Sequence, residues 1–307
     1  EFADGTIKTK FDIFVALLAG TSGDDNIVGF YTADTIAGGA GNDLLEGLRG
    51  GDTYVHNVGD GHDVISDYVD YWGSSGDILR FGPGITAADV TVGRSLASSS
   101  DIVISVMGGQ SSVTLKNQAL DNSEWTIDSI RFSDGEQWTP EQLAARSVAD
   151  QSTPGNDDIY GTAWVDEISA QDGNDVLRGQ AGDDALDGGN GNDTLIGGSG
   201  ADKYLYAANS GDDTIEENSA TGNTGNILRL GTGIAPTDLI FSSSLSNTSD
   251  MVIHFANGSG SITIKKQVMG GADWGIDTVE FADGTVWSAA TLLANYLANQ
   301  GTWGDDF

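Results

Sequence analysis

A nine-residue pattern of glycine and aspartate runs through residues 170–205 without an insertion, and it constrains the fold more than any other feature. The four repeats read AQDGNDVLR, GQAGDDALD, GGNGNDTLI and GGSGADKYL. The sixth residue of each repeat is an aspartate: Asp175, Asp184, Asp193 or Asp202. Two residues later comes a large apolar or aromatic residue: Leu177, Leu186, Leu195 or Tyr204. Such a repeat is typical of a parallel β-helix, in which a strand of about three residues alternates with a turn of about six. A flexible glycine-rich linker, the plain alternative, would not keep aspartate and leucine in fixed phase.

The same spacing predicts a metal site. Two nonapeptides make one coil of 18 residues, so aspartates 18 residues apart stack along one edge, with strands about 4.8 Å apart. Glycine permits positive φ, which lets the carbonyl groups of the turns point inward. Ca²⁺ takes about six to eight oxygen ligands from carboxylates and carbonyls. We therefore predict several Ca²⁺ ions between stacked turns.

A shorter array of the same kind comes earlier. Residues 20–55 divide into GTSGDDNIV, GFYTADTIA, GGAGNDLLE and GLRGGDTYV, and the later array begins with STPGNDDIY and GTAWVDEIS. Thr32 and Trp164 replace the central turn glycine, so we expect the pairs that contain Asp34 or Asp166 to hold calcium less tightly. The aspartate pairs 18 residues apart are Asp25/Asp43, Asp34/Asp52, Asp157/Asp175, Asp166/Asp184, Asp175/Asp193 and Asp184/Asp202. GDGHDVI and SGDDTI close the arrays and add Asp63 and Asp213 as ligands. The glycines expected to shape the metal sites are Gly39, Gly41, Gly173, Gly182, Gly189, Gly191, Gly198 and Gly200.

These nonapeptides resemble those of the RTX (repeats-in-toxin, haemolysin-type) family. The resemblance implies a calcium-binding parallel β-roll in a bacterial protein secreted by the type I route. Proteins of this family similarly avoid cysteine, and this chain has none among 307 residues. The full-length protein would then be a toxin, an adhesin, a surface-layer protein or a secreted hydrolase.

The chain also repeats on a larger scale. DILRFGPGITAADV at 77–90 matches NILRLGTGIAPTDL at 226–239, and WTIDSIRFSDGEQW at 125–138 matches WGIDTVEFADGTVW at 274–287, both at an offset of 149. Period-two alternation in this segment predicts short antiparallel strands at 90–92, 102–106, 113–115 and 127–132, joined by turns at 107–109 and 133–135. A helix is predicted from Thr139, with Pro140 at its first position, and a counterpart at 288–297. The segment resembles the calcium-binding-related region that follows arrays in large RTX proteins, and we expect it to cap the coil.

The predicted fold is therefore all-β, with two parallel β-roll arrays, each followed by a β-rich cap with a short helix. The predicted divisions are 1–19 (tail of a preceding unit), 20–68 (first array), 69–150 (first cap), 151–216 (second array), 217–300 (second cap) and 301–307 (start of a further array). Because residues 1–6 repeat 280–285, we expect a tandem array in a larger protein, with neighbouring repeat units as partners. The alternative is a two-unit protein with degenerate ends.

The charge of the chain bears on its partners. With 46 acidic and 13 basic residues, the formal net charge is −33. We expect no nucleic-acid binding, since such binding depends on neutralising phosphates with Lys and Arg. Charge of one sign opposes compaction, so we expect arrays that are disordered without calcium and fold as they bind it. No apolar stretch is long enough to span a bilayer, and we expect no transmembrane segment.

The sequence offers no catalytic constellation that its pattern does not assign to calcium. It contains neither G-x-S-x-G nor H-E-x-x-H, and its three histidines are His56, His62 and His254. His62 is expected to be a solvated turn residue, and His56 has no evident partner. We therefore expect a protein that is not an enzyme. The alternatives are a calcium-organised module that binds a glycan or a cell-surface partner through Trp72 or Trp164, and an enzyme with a carboxylate pair in the cap.

Overall fold

The computed structural model describes residues 18–67, 76–95, 97–119, 127–217, 224–256, 258, 260–269 and 275–300. The chain forms two compact units, Glu1–Asp150 and Gln151–Phe307. Trp72, Trp125 and Trp274 lie outside the described residues, as do most of the predicted tail at 1–19 and the proposed array start at 301–307.

The first unit contains eleven described strands and one described helix. The strands are β1 Asn26–Val28, β2 Thr35–Ala37, β3 Leu44–Glu46, β4 Thr53–His56, β5 His62–Ile65, β6 Ile78–Phe81, β7 Val90–Ser95, β8 Ser98–Val106, β9 Ser111–Leu115, β10 Ser129–Arg131 and β11 Gln137–Trp138, and the helix is α1 Pro140–Ala149. They form two sheets, in the orders β1-β3-β5-β9-β8-β7 and β11-β10-β6-β4-β2.

The second unit repeats this plan with two more strands. They are β12 Asp158–Tyr160, β13 Glu167–Ser169, β14 Val176–Ala181, β15 Ala185–Asp187, β16 Thr194–Ser199, β17 Lys203–Tyr206, β18 Gly211–Glu216, β19 Ile227–Leu230, β20 Leu239–Ser243, β21 Met251–Phe255, β22 Gly260–Ile264, β23 Thr278–Phe281 and β24 Val286–Ser288, with helix α2 Ala289–Gln300. The two sheets run β12-β14-β16-β18-β22-β21-β20 and β13-β15-β17-β19-β23-β24.

The array strands stack in parallel with a register of one coil. Leu177 pairs with Leu195, Leu186 pairs with Tyr204, and Ile27 pairs with Leu45. These apolar positions face the interior, where Leu177, Leu186 and Tyr204 are 0% exposed. Their burial supplies the hydrophobic stabilisation that a three-residue strand could not obtain alone. The parallel β-roll predicted from the period is confirmed.

The caps differ from the prediction in strand direction. Within the cap, β8 pairs antiparallel with both β7 and β9, as expected. However, β9 also pairs parallel with β5 of the array, β6 pairs parallel with β4, and β10 pairs parallel with β6. The prediction of short antiparallel strands therefore holds for β7, β8 and β9 among themselves and was wrong for the pairing of β10 with β6. Period-two alternation reports which face is buried and carries no information on strand direction. The cap therefore extends both sheets of the roll.

The predicted helix is present and packs on the cap. Thr139 caps α1, its hydroxyl accepting from the N–H of Gln142, and Pro140 takes the first position. Trp138 is buried, stacks edge-on against Phe132 and carries the Arg146 guanidinium over its ring. Trp287 of the second unit packs against Phe281. Neither helix in the described part of the chain is long and apolar enough to cross a membrane.

Candidate metal centre

The aspartates of each array are joined in a ladder. The backbone N–H of one aspartate donates to Oδ1 of the aspartate 18 residues later, at 2.7–2.9 Å. All six predicted pairs are linked in this way: Asp25/Asp43, Asp34/Asp52, Asp157/Asp175, Asp166/Asp184, Asp175/Asp193 and Asp184/Asp202. Two ladders therefore run up each roll. Edge A denotes the one that starts at Asp25 or Asp157, and edge B the one that starts at Asp34 or Asp166.

The ladders continue into the caps. On edge A, Asp43 donates to Asp63 and Asp193 donates to Asp213, where the closing motifs predicted them. On edge B, Asp52 donates to Asp77, and Asp202 donates to Asn226. Sequence reasoning missed these two residues because their spacings of 25 and 24 break the period. Their positions in the sequence could have identified them. Asp77 and Asn226 come directly before the strands of DILRF and NILRL, just as each array aspartate comes directly before a strand.

A second, outer ladder uses the residue before each aspartate. The N–H of Asn174 donates to Oδ1 of Asn156, and the N–H of Asn192 donates to Oδ1 of Asn174. In the first unit, Asn42 donates to Asp24 in the same way. This explains the frequent GND and GDD runs, which the prediction did not use. The outer ladder orients the turns without using the carboxylates of the inner ladder.

The turns of the array have two conformations, and the first coil of each array has the closed one. In a closed turn, Oδ2 of the aspartate accepts the N–H of the residue four positions earlier, at 2.5–2.7 Å. The closed turns are those of Asp25, Asp34, Asp157 and Asp166. Oδ2 of each of these carboxylates therefore has a protein hydrogen bond.

Every later coil has an open turn. Among the described residues, Oδ2 of each open-turn aspartate has no hydrogen-bond partner, although the residue is at most 1% exposed. The open turns are those of Asp43, Asp52, Asp175, Asp184, Asp193 and Asp202. In each, the residues two and four positions before the aspartate have positive φ, for example Gly191 at 138° and Gly189 at 88°. That backbone conformation turns the N–H away from the carboxylate.

Carbonyl groups of one turn point at the next turn, which leaves too little room for a Cβ at the turn glycines. A Cβ added at Gly191 would lie 1.5 Å from the carbonyl oxygen of Gly173, and one at Gly189 would lie 1.8 Å from that of Gln171. The predicted positions Gly39, Gly41, Gly173, Gly182, Gly198 and Gly200 also have positive φ and a carbonyl oxygen within 2.7 Å of an added Cβ. The carbonyl of Trp164 takes the same place toward Gly182, so Trp164 continues the backbone pattern without being a glycine.

Burial makes the open-turn carboxylates costly to ionise. Burial raises the pKa of Asp184 to about 8, that of Asp52 to about 7 and that of Asp202 to about 6. Neighbouring aspartates on the same ladder add Coulombic repulsion in the same direction, as Asp202 and Asp166 do for Asp184. A cation beside them would remove both penalties.

The donor atoms fit Ca²⁺. Each open turn offers a buried carboxylate oxygen without a hydrogen bond, together with carbonyl oxygens from stacked turns, which are the hard ligands that Ca²⁺ prefers. The open turns contain the eight predicted glycines together with six of the predicted aspartates: Asp43, Asp52, Asp175, Asp184, Asp193 and Asp202. Bound there, Ca²⁺ would supply the positive charge that the stacked carboxylates lack. The weaker calcium binding expected at Asp34 and Asp166, whose turns lack the central glycine, remains a prediction. The closed conformation does not test it, because the first coil is closed even where that glycine is present, as in the turn with Gly23.

The histidines have structural partners. Nδ1 of His56 lies 2.7 Å from Oδ2 of Asp63, and Nε2 lies 3.2 Å from Oγ of Ser111. The hydrogen-bonded series of Asp63, His56 and Ser111 resembles the Asp–His–Ser triad of hydrolases. All three residues, however, are at most 3% exposed. His62 is exposed, as expected, but belongs to β5 and pairs with Ser112.

Two family models match the chain. The RTX calcium-binding nonapeptide repeat (4 copies) matches residues 19–54, 152–184 and 169–204. The haemolysin-type calcium binding protein related domain matches residues 101–142 and 250–291. No curated protein matches the chain.

Among solved structures, the chain is similar to the AlgE6R3 subunit of the Azotobacter vinelandii mannuronan C5-epimerase, at 26% identity and a TM-score of 0.27, covering 37% of this chain and 75% of that one. It is also similar to the extracellular lipase LipA of Serratia marcescens, at 19% identity and a TM-score of 0.29, covering 80% of this chain and 38% of the lipase. The matched family segments include more than half of the chain, in the nonapeptide arrays and caps that the fold displays. The protein thus belongs to the RTX family of calcium-binding nonapeptide-repeat proteins.

Proposed function

We propose that this chain is a module that folds when it binds extracellular Ca²⁺. The observation that carries the proposal is the set of six buried Oδ2 atoms in the open turns, which have no hydrogen-bond partner among the described residues. A buried carboxylate without a partner is strongly destabilising. A divalent ion at each open turn would remove that cost and join successive coils.

The net charge supports coupling of metal binding to folding. At −33, the chain repels itself, and the ladders hold each carboxylate within hydrogen-bonding distance of the backbone of the preceding aspartate. Without a counter-ion, opening the coil would return these carboxylates to water. The array is therefore expected to unwind when calcium is removed.

The cellular part of the proposal is export. Calcium is scarce inside cells and abundant outside, so a chain of this kind would stay unfolded during passage and fold after release. RTX repeat proteins are typically exported by type I secretion. Under this proposal the chain acts outside a bacterial cell, beside neighbouring repeat units of the same protein.

We further propose that the module has no catalytic activity. The triad-like set of His56, Asp63 and Ser111 is buried, so a substrate could not reach Ser111 in the folded unit. The glycan-binding alternative relied on Trp72, which lies outside the described residues, and on Trp164, which is half-buried instead of exposed.

A calcium titration followed by far-UV circular dichroism tests the proposal, with Mg²⁺ as the matched control ion. We expect little regular structure after chelation, a cooperative gain of β signal with Ca²⁺, and no comparable gain with Mg²⁺, which demands smaller and more regular sites. Native mass spectrometry would count the bound ions. A fully wound chain that binds no calcium would overturn the proposal.

A further inference from the structure

Three buried carboxylates converge at the top of edge B in the first unit, where the array meets the cap. Asp52, Asp67 and Asp77 each place an oxygen within 4.8 Å of the oxygens of the other two. They are 0%, 4% and 1% exposed, respectively. Asp67 and Asp77 lie outside the nonapeptides, and neither belongs to the predicted calcium ligands.

The strand register explains how Asp67 reaches this place. Ile65 pairs with Leu45, and the N–H of Ser66 donates to the carbonyl of Leu45. Two residues after Leu45 comes Gly47, and two residues after Ile65 comes Asp67. A carboxylate therefore stands where the coil below has a glycine, directly above the turn that ends at Asp52.

Asp52 supplies an oxygen that the protein leaves unused. Its Oδ1 accepts the N–H of Asp34, whereas its Oδ2 has no hydrogen-bond partner among the described residues. A Cβ added at Gly47 would lie 2.2 Å from that Oδ2 and 2.4 Å from the Tyr54 hydroxyl, so both groups point at this end of the roll. Burial, followed by the charge of Asp67, raises the pKa of Tyr54, which therefore remains a neutral phenol.

The second unit has one carboxylate fewer at the same place. The equivalents of Asp52, Asp67 and Asp77 are Asp202, Glu217 and Asn226. The Tyr204 hydroxyl donates to Oε1 of Glu217. Asn226 accepts the N–H of Asp202 through Oδ1 and donates from Nδ2 to the carbonyl of Gly275. The amide of Asn226 thus stands where the first unit has the carboxylate of Asp77.

We propose that Asp67 and Asp77 complete the ion site of the Asp52 open turn, so that one divalent cation lies between three carboxylates there, and that the equivalent open turn of the second unit has no such three-carboxylate site. The geometry suits calcium, since oxygens bound to one Ca²⁺ at about 2.3–2.6 Å lie at most about 5 Å apart. Ionising three adjacent buried carboxylates costs desolvation and mutual repulsion, and a cation between them would offset both. The choice of calcium rests on the proposed function.

Two variants of the full chain test the site. Asp77→Asn keeps the Oδ1 acceptor for the Asp52 N–H, as Asn226 does in the second unit, and removes one charge. Asp67→Asn removes the carboxylate that replaces the turn glycine. We expect each to bind one ion fewer than the wild type at a fixed, low free Ca²⁺ concentration, counted by native mass spectrometry, with the circular dichroism spectrum at saturating Ca²⁺ unchanged.

Two controls make the outcome specific. Asp134→Asn removes the same charge from an exposed turn and should lose no ion. Glu217→Gln changes the position equivalent to Asp67 and should also lose none. An unchanged ion count in both Asp77→Asn and Asp67→Asn, or a loss in Glu217→Gln equal to that in Asp67→Asn, would overturn the inference. A wild-type chain that binds no calcium would instead overturn the proposed function.

Discussion

Asp193 accepts the backbone N–H of Asp175 through Oδ1 at 2.8 Å, while its Oδ2 has no hydrogen-bond partner within the described ranges. One side chain thus joins two coils in two ways, through a hydrogen bond that is present in the protein and through an oxygen available to a metal. The two roles can be separated, because asparagine keeps the acceptor and removes the charge.

Asp193→Asn and Asp193→Ala are expected to give graded effects. Both should raise the Ca²⁺ concentration at which the β signal appears, because each removes a charged ligand. Asp193→Ala should also lower the free energy of unfolding at saturating Ca²⁺ by about 1–3 kcal/mol, since it leaves the buried Asp175 N–H without an acceptor. Circular dichroism titrations and urea unfolding measure the two quantities. A titration of Asp193→Ala that overlays that of the wild type would contradict the assignment.

Gly191→Ala is expected to destabilise the second array. The new Cβ would lie 1.5 Å from the carbonyl oxygen of Gly173, at a φ of 138°. We expect a loss of about 2–4 kcal/mol from overpacking and backbone strain combined. Gly23→Ala is the matched control, because Gly23 holds the same position in a closed turn and its added Cβ would meet nothing within 4 Å. Urea unfolding at saturating Ca²⁺ should show a change of less than about 0.5 kcal/mol for the control. Equal effects of the two substitutions would refute this account of the open turn.

The calcium-free chain is expected to become more ordered in acid. Burial raises the pKa of Asp184 to about 8, and burial raises the pKa of Asp52 and of Asp213 to about 7, from an ordinary value of 3.8. The folded state therefore binds more protons than the unfolded state, and its stability falls as the pH rises from about 4 to about 8. Circular dichroism of metal-free protein should show more β structure at pH 5 than at pH 8.

The pH dependence of calcium binding is expected to be opposite to that of the stability of the metal-free chain, because a proton and a cation compete for the same oxygens. The Ca²⁺ concentration at half-folding should be higher at pH 5 than at pH 8. Greater order of the metal-free chain at pH 8 would show that the buried carboxylates do not limit its stability.

An ion pair in each cap gives a prediction that does not depend on metal. Asp101 is 1% exposed and binds the Lys116 ammonium at 2.6 Å and the N–H of Asn117 at 2.9 Å. Asp250 and Lys265 repeat the arrangement. Lys116→Met should lower the free energy of unfolding at saturating Ca²⁺ by about 1–3 kcal/mol, because it leaves a buried charge unpaired. Adding Asp101→Asn should recover part of that loss, and urea unfolding of both variants measures it. No recovery in the double variant would assign the loss to packing of the lysine stem.

The arrays could be predicted from sequence because one local period fixes the strand, the turn and the register together. Asp63 and Asp213 could be predicted because their closing motifs keep the aspartate two residues before a buried apolar residue, Ile65 or Ile215. Asp77 and Asn226 could not be predicted, because the segment that separates each of them from the last aspartate of its ladder has no fixed length. His56 meets Ser111 across 55 residues, and no local pattern reports such a contact. The open and closed turns were also beyond prediction, because Gly23 and Gly41 hold the same place in the repeat yet differ in conformation.

The closed first coil sets a threshold length for these arrays. Each of the two rolls has two closed turns although their lengths differ, so the four turns of the first array leave two open and the six turns of the second leave four. Under the proposed function, capacity for metal would therefore grow with the number of nonapeptides minus two, and a single coil would have none. Duplication of 18 residues at a time would lengthen the roll and add one open turn on each edge, without any new fold being required.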